Sequence, residues 1–136
     1  MPGSRVPLWW WWIGIVVAVS LPWNGFTPHP QWSRVHWVPL ADPADKLSDL
    51  IANIALFLPF GYSFTGRGRA RLGGRILGAV TAAIAVSVFA EATQLFGRHR
   101  YPSATDVTAA CVGTLVGAAW RAAAGRPEPV SEASGL

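Results

Sequence analysis

The chain of 136 residues has one cysteine, one methionine and one lysine, and only 13% of its residues are charged. A single cysteine, Cys111, excludes a disulfide framework and any multi-cysteine metal site. Soluble domains average about 25% charged residues, so the shortage of charge argues against an ordinary soluble domain. With 51% hydrophobic residues, the chain does not have the composition of a disordered segment either. Its formal net charge is +4, and ten of its eleven cations are arginine. In so apolar a chain, a basic balance reports membrane topology, and no nucleic-acid partner is expected. The length suits one domain.

What is present is four long apolar segments, over residues 6–23, 47–64, 76–96 and 107–124. Each would run roughly 27–31 Å as a helix, close to the thickness of a hydrocarbon core. The expected fold is therefore all-α: a polytopic membrane bundle of four transmembrane helices, followed by a polar, disordered tail over 127–136. The first segment opens with Trp9, Trp10, Trp11 and Trp12, a residue type that favours the membrane interface. It also has the parts of a signal peptide, with Arg5 before it and Ala18-Val19-Ser20 as a small-residue cleavage site. Pro22 after that site and the leading tryptophans favour retention. Asp42-Pro43-Ala44-Asp45 reads as a helix start, and Ser103-Ala104-Thr105-Asp106 as a capping box. Gly73-Gly74 reads as the end of an arginine-rich link.

With four spans, Arg5, Arg67, Arg69, Arg71, Arg75, Arg121 and Arg126 share one side, and Arg34, Lys46, Arg98 and Arg100 the other. The positive-inside rule places the larger group, with both termini, in the cytoplasm. Asp49, Asn53, Glu91, Gln94 and Asp106 then all fall near the outer ends of their spans. Asp45, Asp49 and Asn53 recur every four residues, on one helix face. Glu91, Gln94 and Arg98 stand at i, i+3 and i+7. Asp106, Ala110, Gly113 and Gly117 form one stripe, whose glycines permit close helix approach.

Many of these residues have plain structural roles open to them. Asp42 and Asp45 suit caps, Asp106 a capping box, Pro59 and Gly61 a tolerated kink, Gly113 and Gly117 packing. Arg98 and Arg100 suit headgroup anchors, and His29, His36 and His99 are ordinary loop residues. Glu91 stands apart. A carboxyl inside a membrane helix is costly unless it is paired, protonated or hydrated.

Asp49-Leu-Ile-Ala-Asn53-Ile-Ala-Leu-Phe57-Leu-Pro59-Phe60-Gly61 resembles the first signature of the VanZ-like family. Glu91-Ala-Thr-Gln94-Leu-Phe, followed by Arg98 or Arg100, Ser103, Asp106 and Gly113, resembles its second. The resemblance covers about Leu47 to Gly117, and departs at Ala110, where the family often has Asn. It implies a small bacterial multi-pass protein of the plasma membrane, with residues 1–126 as its domain, and a connection to teicoplanin resistance.

Three functions are then in view. The first is binding of an anionic lipid or lipid-linked cell-wall precursor at the outer leaflet. Arg98 and Arg100 would hold the anion through charge-assisted hydrogen bonds, while Asp49, Asn53, Glu91, Gln94, Ser103 and Asp106 orient them and contact ligand. The second is an enzyme on a lipid-linked substrate, with Glu91 or Asp49 as general acid/base. In that case a divalent metal could bridge Asp49, Glu91 and Asp106. The third is a structural or accessory subunit. The sequence contains no recognised catalytic signature, and it does not name a cofactor.

Overall fold

A computed structural model describes residues 7–41, 47–66 and 71–125. Asp42, Asp45, Lys46, the arginines Arg5, Arg67, Arg69 and Arg126, and the expected tail lie outside them. The elements are α1 (Leu8–Ser20), a 3-10 turn (Trp32–Arg34), α2 (Leu47–Thr65), α3 (Leu72–Gln94) and α4 (Ala104–Ala124). Among the described residues there is no strand, only two isolated bridges, Phe26 with Gly97 and His36 with Ser103.

Helices α2, α3 and α4, of 19, 23 and 21 residues, are long and apolar enough to cross a bilayer. Helix α1 has 13 residues, about 20 Å at 1.5 Å per residue, and is shorter than the span expected over 6–23. Prolines bound it. Pro7 is its N-cap, and Leu21 is held extended before Pro22, a ring that disfavours α geometry in the preceding residue. The boundary of α3 shifts the other way. Gly73 and Gly74, expected as link residues, lie in its first turn, where their α-carbons face open space. Helix α4 starts at Ala104, with Ser103 as N-cap.

The tightest packing joins α4 to α2. A Cβ on Gly113 would overlap the Ile54 carbonyl, one on Gly117 the Leu58 carbonyl, and one on Gly61 the Thr114 carbonyl. The expected stripe on α4 is therefore its contact face, and Ala110, Gly113 and Gly117 are buried in it. Ala79, Ala83, Ala90, Ala109, Ala110 and Ala118 are buried too, whereas Ile84, Phe89, Val112, Leu115 and Val116 face outward. Small residues inside and large apolar ones outside is the pattern of helices whose outer surface meets lipid.

Helix α1 lies against α2 and α3 and runs antiparallel to α2. Trp9 meets Phe64 edge-on at 5.3 Å near the end of α2. The Trp12 indole N–H donates to the Leu56 carbonyl, and Val16 joins the core beside Phe57 and Phe60. At the far end of α1, the Val19 carbonyl accepts from Arg100 Nη2 at 3.4 Å.

Arginines mark one end of the bundle. Arg75 Nη1 donates to the Thr65 carbonyl in the last turn of α2 (2.9 Å). Arg121 lies over the Tyr62 ring, 5.3 Å from its centroid. Cations at a helix C-terminus offset its macrodipole.

Gly113→Ala and Gly117→Ala should each lower stability by about 1–3 kcal/mol, the usual cost of overpacking. Gly14→Ala, whose added methyl meets open space, should not. Thermal unfolding of the three variants in detergent checks this, and equal midpoints would contradict the glycine contact.

Candidate functional site

The opposite end carries the polar residues, and the start of α4 organises them. Ser103 Oγ accepts from the Thr105 N–H at 3.1 Å, an N-cap bond that stands in for the first half of a capping box. The second half differs from expectation. The Ser103 N–H donates not to the box residue Asp106 but to Glu91 Oε2 of α3, at 2.8 Å. Glu91 thus does the work of the box carboxylate, and Asp106 turns to α2, where its Oδ1 accepts from Asn53 Nδ2 at 2.6 Å. The Glu91 and Asp106 carboxyls lie within hydrogen-bonding reach of each other, with the Arg100 guanidinium as an electrostatic neighbour of Glu91. The acids of α3 and α4 and the amide of α2 form one cluster.

That cluster faces a cavity of about 620 Å³ between α1, α2, α3 and the start of α4. Asp49, Asn53, Glu91, Gln94, Arg100, Ser103 and Asp106 all line it, together with Val16, Leu56 and Phe57. Gln94 is 8% exposed where it lines this cavity. Asp49 is exposed at the mouth and accepts from Ser48 Oγ at 3.3 Å.

Two expectations fare differently. Arg98 does not line this cavity. Its side chain packs on Gly25, and it borders a separate 260 Å³ recess with Pro22, Trp23 and Gly97. The reason is the end of α3 at Gln94, which takes Arg98 off the helix face that Glu91 and Gln94 share. The bridging metal also loses its geometry: among the described residues, no three His, Cys, Asp or Glu side chains are grouped to hold one.

The first loop supplies what the sequence did not announce. It crosses the α3–α4 connection and bonds it backbone to backbone. The Thr27 N–H donates to Phe96 O (2.7 Å), Gln31 N–H to Leu95 O (3.0 Å), and His36 N–H to Pro102 O (2.9 Å). The Ala104 N–H returns a bond to His36 O at 2.9 Å. These bonds satisfy carbonyls just past the end of α3, which have no helical partner of their own. They also bring His36 to the cavity wall, stacked on Tyr101 at 5.9 Å, with His99 and Ser20 nearby. His99 sits between two expected site residues, so its position was a signal. His36 is far away in the chain, and backbone pairing leaves no residue-type signature.

Fold and site define a class, a small α-helical membrane protein with a polar cavity at one end of its bundle. The family model described as VanZ/LLP1 matches residues 7–122, and the chain belongs to that VanZ-like family. No curated relative and no solved structure matches it. Ala110, at the position where Asn was noted as common, is fully buried in the core with Phe57, Phe60 and Ala83. The polar floor here therefore ends one turn below Asp106.

Glu91→Ala should cost about 1–3 kcal/mol by leaving the Ser103 N–H without its acceptor, whereas Glu91→Gln keeps an acceptor oxygen and most of that stability. Chemical denaturation in mixed micelles compares the two. Equal losses would show that the carboxylate's charge, not this hydrogen bond, is what α4 needs.

Proposed function

We propose that this is a bacterial plasma-membrane protein of four spans, with both termini cytoplasmic. Its cavity receives an anionic amphiphile at the outer leaflet: a phosphate-bearing lipid or a lipid-linked cell-wall precursor. The observation that carries this reading is the double character of the cavity. Val16, Leu56 and Phe57 give it an apolar wall, and Arg100, Gln94, Glu91 and Asp106 a polar one. An acyl or prenyl chain suits the first, and a hydrogen-bonding headgroup the second. Arg100, exposed at the rim, offers a planar fork of donors to a phosphate.

Four spans are supported by the run of α1. It starts beside Phe64, near the arginine end, and finishes beside Arg100, at the cavity end, so it accompanies α2 through most of its length. Arg75 and Arg121 at the arginine end agree with that end being cytoplasmic. Exposed Trp23, Trp32 and Trp37 in the first loop suit the opposite interface. A role in glycopeptide resistance or envelope homeostasis fits the family resemblance.

The contact between the Glu91 and Asp106 carboxyls favours a second reading, an enzyme in which Glu91 moves a proton on a lipid-linked substrate. Asp49, exposed at the mouth, lacks the burial that such a role exploits.

Lipid analysis of the detergent-purified protein tests the binding reading. Wild type should retain a phosphate-bearing species that Arg100→Gln loses, with retention falling as salt rises. Conversion of an added lipid-linked precursor would favour the enzyme. Identical, non-selective lipid content in both proteins would defeat both. Topology is checked on a Cys111→Ala background. A cysteine at Ser33 should react with a membrane-impermeant thiol reagent added outside, and cysteines at Ser4 and Gly73 should not. The reverse pattern would invert the orientation, and labelling at both Ser4 and Ser33 would remove the first span.

A further inference from the structure

Arg98 has no place in the cavity but lines a hollow of its own, the recess of 260 Å³ just beyond α1. Two chain segments form it, residues 21–25 and 97–100. Backbone pairing fixes them against each other. The Arg98 N–H donates to the Gly25 carbonyl at 3.1 Å and the Thr27 N–H to that of Phe96 at 2.7 Å, on either side of the Phe26–Gly97 bridge. A glycine on each segment then gives the arginine stems room. A Cβ on Gly25 would stand 3.2 Å from Arg98 Cδ, and one on Gly97 3.0 Å from Arg100 Cγ and 2.9 Å from Pro22 Cβ. Gly25 also has φ +127°, which a side chain would strain. The two stems therefore lie along backbone, and less side-chain freedom is lost when their guanidinium groups engage a ligand.

The recess is basic, and no carboxyl group lines it among the described residues. Arg98 and Arg100 supply two guanidinium forks, and Asn24 and His99 further hydrogen-bonding groups. Arg34 adds a third cation beside them, because its Nη1 donates to the Arg98 carbonyl. His99 and Arg100 line both hollows, whereas Glu91, the electrostatic neighbour of Arg100, lines the cavity alone. The two hollows therefore differ in character. Acids and a cation share the cavity, while the charged groups of the recess are all cations. Such a lining favours a net negative ligand and offers an ammonium no opposite charge.

Its position points to a lipid. The recess begins at Leu21, the residue after α1 ends. Trp23 on its edge is 74% exposed, and its indole N–H donates back to the Ala18 carbonyl at 2.7 Å, so the ring lies along the end of the helix. A tryptophan so placed suits the membrane interface, the level of the headgroups. We infer that the recess is a second site, separate from the cavity, which takes the phosphate of a net-anionic phospholipid. Arg98 and Arg100 hold the phosphate from the side of the α3–α4 connection. Leu21, Pro22 and Trp23 give the opposite, apolar side to the glycerol and upper acyl chain. The level of the recess rests on the four-span reading, but the site is independent of what the cavity binds.

Calorimetry on the full chain in dodecyl maltoside tests this with dihexanoyl phosphatidylglycerol, dihexanoyl phosphatidylethanolamine and inorganic phosphate. Phosphatidylglycerol should bind tightest of the three. Arg98→Gln should weaken it about tenfold, the factor that one charge-assisted hydrogen bond supplies. Arg98→Lys, which keeps the charge but not the planar fork, should recover part of that loss. Asn24→Asp, which sets a carboxylate in the recess, should weaken phosphatidylglycerol as well. Neither Asn24 nor Arg98 lines the cavity, so these variants probe the recess alone. Phosphatidylglycerol affinity unchanged by Arg98→Gln and Asn24→Asp overturns the recess and leaves the cavity reading standing. If Arg98→Gln fails to fold, Asn24→Asp decides. Equal binding of the two lipids reduces Arg98 to a general headgroup anchor and overturns the inference. Inorganic phosphate bound as tightly as phosphatidylglycerol, with the same dependence on Arg98, assigns the site to a free anion and overturns the lipid. Absence of phosphatidylglycerol binding overturns the inference outright.

Discussion

Everything at the polar end depends on how closely α4 approaches α2. Gly61, Gly113 and Gly117 let backbone meet backbone, and no side chain larger than hydrogen fits at those three points. That approach sets the lateral position of α4, and so brings Asp106 within 2.6 Å of Asn53. In hydrocarbon there is no hydrophobic gain from bringing apolar helices together, so close packing and interhelical hydrogen bonds must supply the association. The glycine contact and the Asn53–Asp106 bond are those two contributions, acting on the same pair of helices.

Glu91 then ties the third helix to the same point. By accepting the Ser103 N–H it caps α4 from outside, in place of the residue that the local motif nominates. The exchange has a structural consequence. Asp106 is drawn toward Asn53 and the cavity instead of being folded back on its own helix start. A capping interaction that would otherwise be internal to α4 becomes a link between helices, and the carboxyl left over becomes part of a wall. The first loop completes the arrangement by bonding the α3–α4 connection, so the cavity is built from segments far apart in the chain.

Much of this was legible in the sequence, for physical reasons. The apolar runs are long enough to reveal α2, α3 and α4 without tertiary information. The period of Asp49 and Asn53, and that of Asp106, Ala110, Gly113 and Gly117, gave the inward faces, because a helix fixes which residues share a side. Ser103 announced the α4 cap by residue type. What was illegible depended on contacts between distant parts. That Glu91 would displace Asp106 from the capping box cannot be seen from either segment alone. Arg98 shares a helical period with Glu91, but the helix stops at Gln94 and the period then carries no meaning. The full length expected of the first span was cut by Pro22. His36 reached the site through its backbone, which no side-chain pattern records.

The central claim is that the cavity end selects a phosphate-bearing amphiphile, and photo-crosslinking at that end addresses it most directly. A benzoylphenylalanine at Tyr101, exposed at the cavity mouth, is compared with one at Trp120, exposed at the arginine end. In intact membranes the Tyr101 position should capture a restricted set of phosphate-bearing amphiphiles, in a yield that Arg100→Gln reduces, while the Trp120 position captures lipids in proportion to their abundance. The same lipid profile at both positions, unaffected by Arg100→Gln, would contradict the account.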